Sequence, residues 1–308
     1  MTEPGRLMLL DSASMYFRAF FGVPEIKGPD GTPVNAVRGF LDFISRLVTD
    51  YRPSDLVCCW DNDWRPQWRV DLLPSYKAHR VVAERSGEPD VEEVPDPLEV
   101  QVPIIRDVLE AFGICVVGKD GYEADDVIGS LASQARQPVD IVTGDRDLFQ
   151  LVDDERDVRV LYIARGVGNH ERVTNDWVRT KYGIDAHQYA DFATLRGDAS
   201  DGLPGVAGIG EKTAATLLDR FGDMDGIVAA ALDPDSDMGP GPRGKIKAAA
   251  AYLEVAPQVV AVARDLDLGS PATAVPAEPR DLARVAELGA RWGIESPVQR
   301  LTETLCSR

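Results

Sequence analysis

The sequence predicts an α/β fold built on a parallel sheet, and three observations carry that reading. Residues 7–10 and 56–60 are short continuous apolar runs and residues 139–143 a short, mainly apolar one, the pattern of strands buried on both faces. Each delivers an aspartate at or just past its C-terminal end: Asp11, Asp61 and Asp145. Between the first two runs, residues 36–48 place Val37, Phe40, Leu41, Ile44, Leu47 and Val48 at helical spacing, which makes a βαβ unit.

The third apolar run lies inside the most informative stretch, residues 122–151. It opens with Glu123, Asp125 and Asp126 ahead of a helical segment and closes with Asp145 and Asp147 in the turn after the strand. Glu123 and Asp126 are spaced to share one face of the helix start. Open α/β sheets bind their ligands at the carboxyl ends of their strands, where all these acids fall. Two carboxylates ~4 Å apart at an effective dielectric near 20 repel by about 4 kcal/mol, so protons or cations must hold them together. All-oxygen donors without histidine or cysteine favour Mg²⁺ or Mn²⁺. The plain alternative is that Glu123 and Asp147 cap helices and the remaining acids are solvated.

The chain has 308 residues, enough for one large domain or two smaller ones. No apolar run approaches a membrane span, and the acidic N-terminus does not resemble a signal peptide. Of the four cysteines, Cys58, Cys59 and Cys115 read as small buried hydrophobes; with Cys306 they lack zinc-finger spacing, so a reduced, cytoplasmic protein is expected. A formal charge of −18 argues at first against nucleic acid, yet many acids concentrate in the cluster and in residues 84–99.

Along the chain, Tyr16, Phe17 and Phe20 are expected in the core, and Arg18 faces either a phosphate or solvent. Residues 61–97 alternate Trp64, Trp68 and Tyr76 with Arg65, Arg69, Lys77, His79 and Arg80 before an acidic, proline-rich piece. Aromatics interleaved with cations suit a nucleic-acid track, against the plain alternative of a surface loop. Residues 98–112 read as an amphipathic helix stopped by Gly113, residues 114–117 and 158–163 as strands, and residues 174–182 as a helix stopped by Gly183. His79, His170 and His187 have no partner at catalytic spacing.

Asp198 and Asp201 are placed to point one way from a single turn. The glycines Gly205, Gly208 and Gly210 then lead into Lys212, Thr213 and a helix, a backbone that lets a phosphate approach a helix N-terminus. An ordinary helix–turn–helix corner would look similar. Residues 238–247 read as a Pro/Gly hinge with three cations, either a second backbone contact or a linker, ahead of a helix at 248–253. Residues 282–301 carry a helical pattern.

Taken jointly, Leu10-Asp11, Asp61, Arg69, Tyr76-Lys77 with Arg80, Glu123-Ala124-Asp125-Asp126, Thr143-Gly144-Asp145-Arg146-Asp147 and Gly197-Asp198 through Lys212-Thr213-Ala214 make the chain resemble the 5′-nuclease, flap-endonuclease-like family. The 5′→3′ exonuclease domain of bacterial DNA polymerase I is its best likeness, and the coverage suggests a free-standing nuclease. The resemblance implies a PIN-like, resolvase-like parallel-sheet core over residues 1–183 with a helical arch at 64–97. It also implies a helix–hairpin DNA-binding region at 184–270 and a C-terminal segment, 271–308, returning to the core.

It further implies hydrolysis of DNA at 5′ ends and flap junctions with two divalent ions, Mg²⁺ or Mn²⁺, in primer processing and repair. One ion would sit around Asp61, Glu123, Asp126 and Asp145, with Asp11 and Asp125 in or near that shell, and the other around Asp147, Asp198 and Asp201. Lys77 and Arg80 would steer the scissile phosphate, Arg18 and Arg69 would contact DNA, and Tyr76 would stack on a base. Gly205, Gly208, Gly210, Lys212 and Thr213 would grip the duplex, with a K⁺ ion at the hairpin. The partner would be DNA with flaps, nicks or free 5′ ends, bound by a monomer. A non-catalytic junction binder with the same fold is the alternative. Trp68 stands where the family usually has Phe, and residues 84–99 are unusually acidic for an arch.

Overall fold

A computed structural model describes residues 5–83 and 90–307. Among the described residues eight strands form: β1 (Leu7–Asp11), β2 (Asp55–Trp60), β3 (Val81–Ala83), β4 (Val91–Glu92), β5 (Cys115–Gly118), β6 (Val139–Thr143), β7 (Val158–Tyr162) and β8 (Glu171–Val173). Six of them make one sheet in the order β5-β2-β1-β6-β7-β8. It is parallel except for β8, which runs antiparallel along β7.

Strand periodicity sorts the sheet's side chains into two cores. On one face Leu9, Val57, Ile141 and Val160 pack under the helix of the acid stretch and the C-terminal helical region. On the other, Met8, Leu10, Cys58, Val142 and Leu161 meet Phe40, Leu41 and Ile44. Burying side chains of this kind contributes about 1.5–3 kcal/mol each. Cys58 and Cys59 belong to opposite cores, while Cys115 is half-buried.

The helices follow in chain order: α1 (Ser12–Gly22), α2 (Asn35–Tyr51), α3 (Gln67–Leu72), α4 (Asp96–Glu99), α5 (Gln101–Phe112), α6 (Ala124–Gln134) and α7 (Asn175–Tyr182). Beyond them lie α8 (Tyr189–Arg196), α9 (Glu211–Phe221), α10 (Met224–Leu232), α11 (Pro240–Ala248), α12 (Ala250–Val260), α13 (Leu282–Trp292) and α14 (Glu295–Cys306). After α12 the chain returns to the sheet: Leu56 N–H donates to the Thr273 carbonyl at 2.7 Å and Val275 N–H to that of Ser54 at 3.0 Å. Arg300 on α14 binds Asp42 on α2 at 2.7 Å.

Four expectations need correction. Among the described residues, 64–97 form no continuous helical arch; they give the short helix α3, the start of α4, a 3-10 turn at Ala78–Arg80 and the antiparallel pair β3–β4. The β-branched pair Val81-Val82 favours extended chain. Part of the acidic piece expected in that arch, residues 84–89, lies outside the described residues. Residues 238–247 are not a hinge, because Gly239 and Pro240 start α11, a position where proline's missing N–H costs nothing. The pattern at 98–112 breaks at Val100, and that at 282–301 breaks at left-handed Gly293, so each gives two helices. Finally, Phe17 and Phe20 are only half-buried, and Phe17 lines the cleft described next.

Candidate active site

The carboxyl edge of the sheet opens into a cleft of about 1010 Å³. Asp11, Asp61, Glu123, Asp125, Asp145 and Asp198 line it, together with Lys77, Arg80 and Arg18. Local chemistry fixes each acid. Asp11 ends β1 and caps α1, accepting from Ser14 N–H at 3.0 Å and from the Thr143 hydroxyl at 2.7 Å. That hydroxyl also accepts from Asp145 N–H at 2.8 Å, so one threonine at the end of β6 ties two strand-end aspartates together. Asp145 in turn accepts from Asp147 N–H at 2.9 Å, and Asp61 from Ala124 N–H at 2.7 Å.

Glu123 caps α6, and acids in a first helical turn are favoured by the helix dipole. Its carboxylate accepts from the Arg69 guanidinium and the Tyr76 hydroxyl, both at 2.7 Å, and from the Lys77 ammonium. Asp126, one residue past cleft-lining Asp125, points the other way. It is fully buried and accepts two Arg69 bonds at 2.7 Å, Ala263 N–H at 2.9 Å and Glu123 N–H at 3.2 Å. Arg69 is 2 % exposed and also donates to the Val259 carbonyl at 3.0 Å.

Three placements therefore correct the expectations from sequence. Asp126 is saturated beneath the cleft and has no free oxygen for an ion or a catalytic step. Arg69 is a buried clasp joining α3 to α6 and α12, out of reach of DNA. Tyr76, 4 % exposed, spends its hydroxyl on Glu123 and offers no face for a base.

Crowding shows in the protonation of the cluster. Burial, reinforced by Asp11 and Glu123 against the Ala124 N–H, pushes Asp61 up to about 7. Burial first and Asp145 second raise Asp125 well above the usual carboxylate range. Asp145 is raised by burial, and Asp147 well raised by burial and then by Asp145, Asp201 and Asp198. One Asp147 oxygen is buried without a partner. Burial works against the Lys77 ammonium, but Glu123, Tyr76, Asp201 and Asp125 together outweigh it and hold the group charged.

Asp198 caps, and Asp201 ends, a single 3-10 turn, Ala199–Asp201. Asp198 accepts from Ser200 N–H at 2.9 Å and Arg196 at 3.2 Å. Asp201 accepts from Arg80 at 3.2 Å, and its carbonyl accepts Lys77 N–H at 3.0 Å. Burial raises the Asp201 carboxyl although Lys77 opposes it. Gly202, at φ +69, lets this turn dock: a Cβ there would meet the Ser75 carbonyl at 2.1 Å.

The glycine hairpin lies apart from the cleft. Gly205 (φ +67) presses on the α8 C-terminus, where a Cβ would stand 2.6 Å from the Gly197 nitrogen. Gly208 (φ +76) gives its carbonyl to the Lys245 ammonium at 2.7 Å. Gly210 precedes α9 without a side-chain cap, so no cap side chain takes the first-turn N–H groups, with Lys212 exposed and Thr213 half-buried.

Sequence reasoning gave no role to Arg146, Arg165, Glu92 or Phe21, all of which line the cleft. Arg165 lies just past β7, at the same edge that carries the aspartates, and that edge rule was the signal available for it.

Buried carboxylates facing guanidinium and ammonium groups around a strand-end cleft suit a phosphodiester, and the fold with this site defines a nuclease. A 5′-3′ exonuclease N-terminal resolvase-like domain profile matches residues 6–183, and a 5′-3′ exonuclease C-terminal SAM fold profile matches residues 184–283. The chain belongs to the 5′-3′ exonuclease family. It is 61% identical over 299 residues to a 5′-3′ exonuclease of Streptomyces coelicolor, covering 97% of this chain and 99% of that one. A 5′-3′ exonuclease of Mycobacterium tuberculosis is 53% identical, with 97% of each chain covered. DNA polymerase I of Mycobacterium bovis is 42% identical over 227 residues, 72% of this chain and 24% of that protein. Among solved structures, a T5 5′-exonuclease with bound divalent zinc superposes with TM-score 0.63 at 18% identity, covering 98% of both chains. The catalytic core of Rad2 in complex with DNA substrate gives 0.60 at 17% identity, covering 99% of this chain and 92% of that one. These two likenesses concern the fold alone.

Proposed function

We propose that this protein hydrolyses DNA phosphodiester bonds at 5′ ends and at 5′-flap junctions, with divalent cations held in the carboxylate cleft. The observation that carries the reading is the set of crowded acids on one cleft wall, whose pKa values burial and mutual repulsion raise. No group of three or more acids among the described residues is arranged to hold an ion as it stands. The donor chemistry nevertheless fits one: all oxygen, raised by like charge, with an orphaned buried Asp147 oxygen. Asp61, Asp125 and Asp145, with Asp11 and Glu123, would hold one Mg²⁺ or Mn²⁺, and Asp147, Asp198 and Asp201 a second. What such ions supply when bound is an acidified water and charge compensation at the scissile phosphate.

The protein's own groups do the rest. Lys77 and Arg80 line the cleft from their ion pairs with Glu123 and Asp201, where a phosphate entering beside the acids would meet their positive charge. Arg69 and Tyr76 fix the Glu123 rotamer from below. Arg18 faces the cleft, and the hairpin of Gly205, Gly208 and Gly210 with Lys212 and Thr213 offers amides and one ammonium to a duplex backbone. Residues 1–183 would thus carry the chemistry and 184–270 the grip. A K⁺ ion at the hairpin would compete with Lys245 for the Gly208 carbonyl, and nothing in the function is routed through it. No helix among the described residues is long and apolar enough to cross a membrane, and we place the monomeric enzyme in the cytoplasm with its DNA.

Cleavage of a 5′-labelled flap duplex in Mg²⁺ or Mn²⁺ tests the reading. The wild type should cut at the junction, Asp145→Asn should abolish cutting, and Lys77→Ala should slow it about a hundredfold or more, as for loss of a transition-state donor. Tight binding without cleavage in either metal would leave a junction-binding protein instead.

A further inference from the structure

We propose a second nucleotide subsite in the cleft, built by Arg165, Arg18 and Phe21, that holds one unpaired nucleotide of the substrate beside the bond to be cut. The proposal rests on the nuclease reading above and adds residues and a ligand to it.

Three observations converge. The first is electrostatic. Three cleft cations already face carboxylates: Lys77 on Glu123, Arg80 on Asp201 at 3.2 Å and Arg146 on Asp198 at 3.6 Å. Arg18 and Arg165 line the same cleft, yet neither has an ion pair among the described residues, and the Arg18 Nε is buried without a hydrogen-bond partner. In a chain of formal charge −18, two unpaired guanidiniums in a cleft are free to take an anion.

The second is aromatic. Phe21, at the end of α1, is 73 % exposed, unusual for a large apolar ring, and stacks on Phe17 with planes 13° apart and centroids at 6.5 Å. Both rings line the same cleft as the two arginines. A flat apolar face in a cleft with unpaired cations is what an unstacked base with its phosphate requires, and such stacking tolerates any base.

The third is spacing. Lys77 sits on Glu123, next to Asp61 at the end of β2, whereas Arg165 follows β7. Those strands stand three neighbours apart in the sheet, roughly 14 Å at strand spacing. A strand laid along this edge can therefore meet Lys77 with one phosphate and Arg165 with another. Arg165 and Arg18 take that second phosphate, and Phe21 takes a base on the same strand.

The test is fluorescence anisotropy with a labelled 5′-flap duplex and the same duplex nicked without a flap, in EDTA so that both stay whole. Arg165→Ala and Phe21→Ala should each weaken flap binding about tenfold, and Arg165→Lys should retain most of it. Arg165→Ala should also lower the slope of log affinity against log salt by about 0.7, one single-strand phosphate contact. Affinity for the unflapped duplex should stay within about twofold. Unchanged flap binding in both alanine variants would reject the subsite. Equal weakening on both substrates would assign these residues to duplex backbone and reject the unpaired nucleotide. Wild-type cleavage in Mg²⁺, run in parallel, reports separately on the nuclease reading.

Discussion

Replacing Arg69 by Met separates a buried clasp from a DNA contact. Methionine fills much of the arginine stem but removes three bonds of 2.7 Å to Glu123 and Asp126 and one of 3.0 Å to the Val259 carbonyl. Glu123 keeps Tyr76 and Lys77, whereas fully buried Asp126 keeps only two backbone N–H groups. Removing one partner of a buried pair costs about 3–5 kcal/mol, because the other charge is left stranded. At roughly 2–4 °C per kcal/mol for a large domain, Arg69→Met should melt about 6–20 °C lower than wild type. Adding Asp126→Asn removes the stranded charge, so the double variant should lose at least about 2 kcal/mol less than the sum of the singles. Thermal unfolding by circular dichroism measures both, and anisotropy on a flap duplex measures binding. An unchanged melting temperature with a tenfold loss of DNA affinity in Arg69→Met would refute the clasp and restore Arg69 to the DNA path.

Two further outcomes follow from the same geometry. Gly202→Ala should misplace Lys77, since the new methyl would meet the Ser75 carbonyl at 2.1 Å at a φ of +69 that alanine resists. Flap cleavage should fall about tenfold or more with a modest drop in melting temperature, and wild-type kinetics in this variant would discount the docking of the two turns. Asp61 has its pKa raised from 3.8 unfolded to about 7 folded, so between those values the folded state holds a proton the unfolded chain has released. Stability of the metal-free protein therefore falls as pH rises through that window, by up to a few kcal/mol. In EDTA the melting temperature should be lower at pH 8 than at pH 5, and Mg²⁺ should recover more of it at pH 8. A higher value at pH 8 in EDTA would contradict the crowding of the cluster.

Much of this protein is legible in its sequence because period and position are local properties. Short apolar runs with an aspartate at or just past the end specify β1, β2 and β6, and the sheet then carries Asp11, Asp61 and Asp145 to one edge. Sequence spacing failed where only packing could choose. Trp64 to Arg80 interleaves rings and cations, a pattern shared by a DNA track and a buried clasp. The deciding fact is that α12 closes over Arg69, from 190 residues away along the chain. Asp125 and Asp126 are neighbours in sequence, but one helical step turns a side chain by about 100°, which sends the first into the cleft and the second into the core. The cleft's aromatic wall was hidden for a related reason, since Phe17 reads as core and Phe21 carries no signal of its own until the fold leaves their faces open to the cleft. The sequence by itself determined which chemistry gathers at the edge of the sheet. Tertiary structure decided which acids and cations face the substrate, because exposure depends on what packs behind each side chain rather than on its place in the chain.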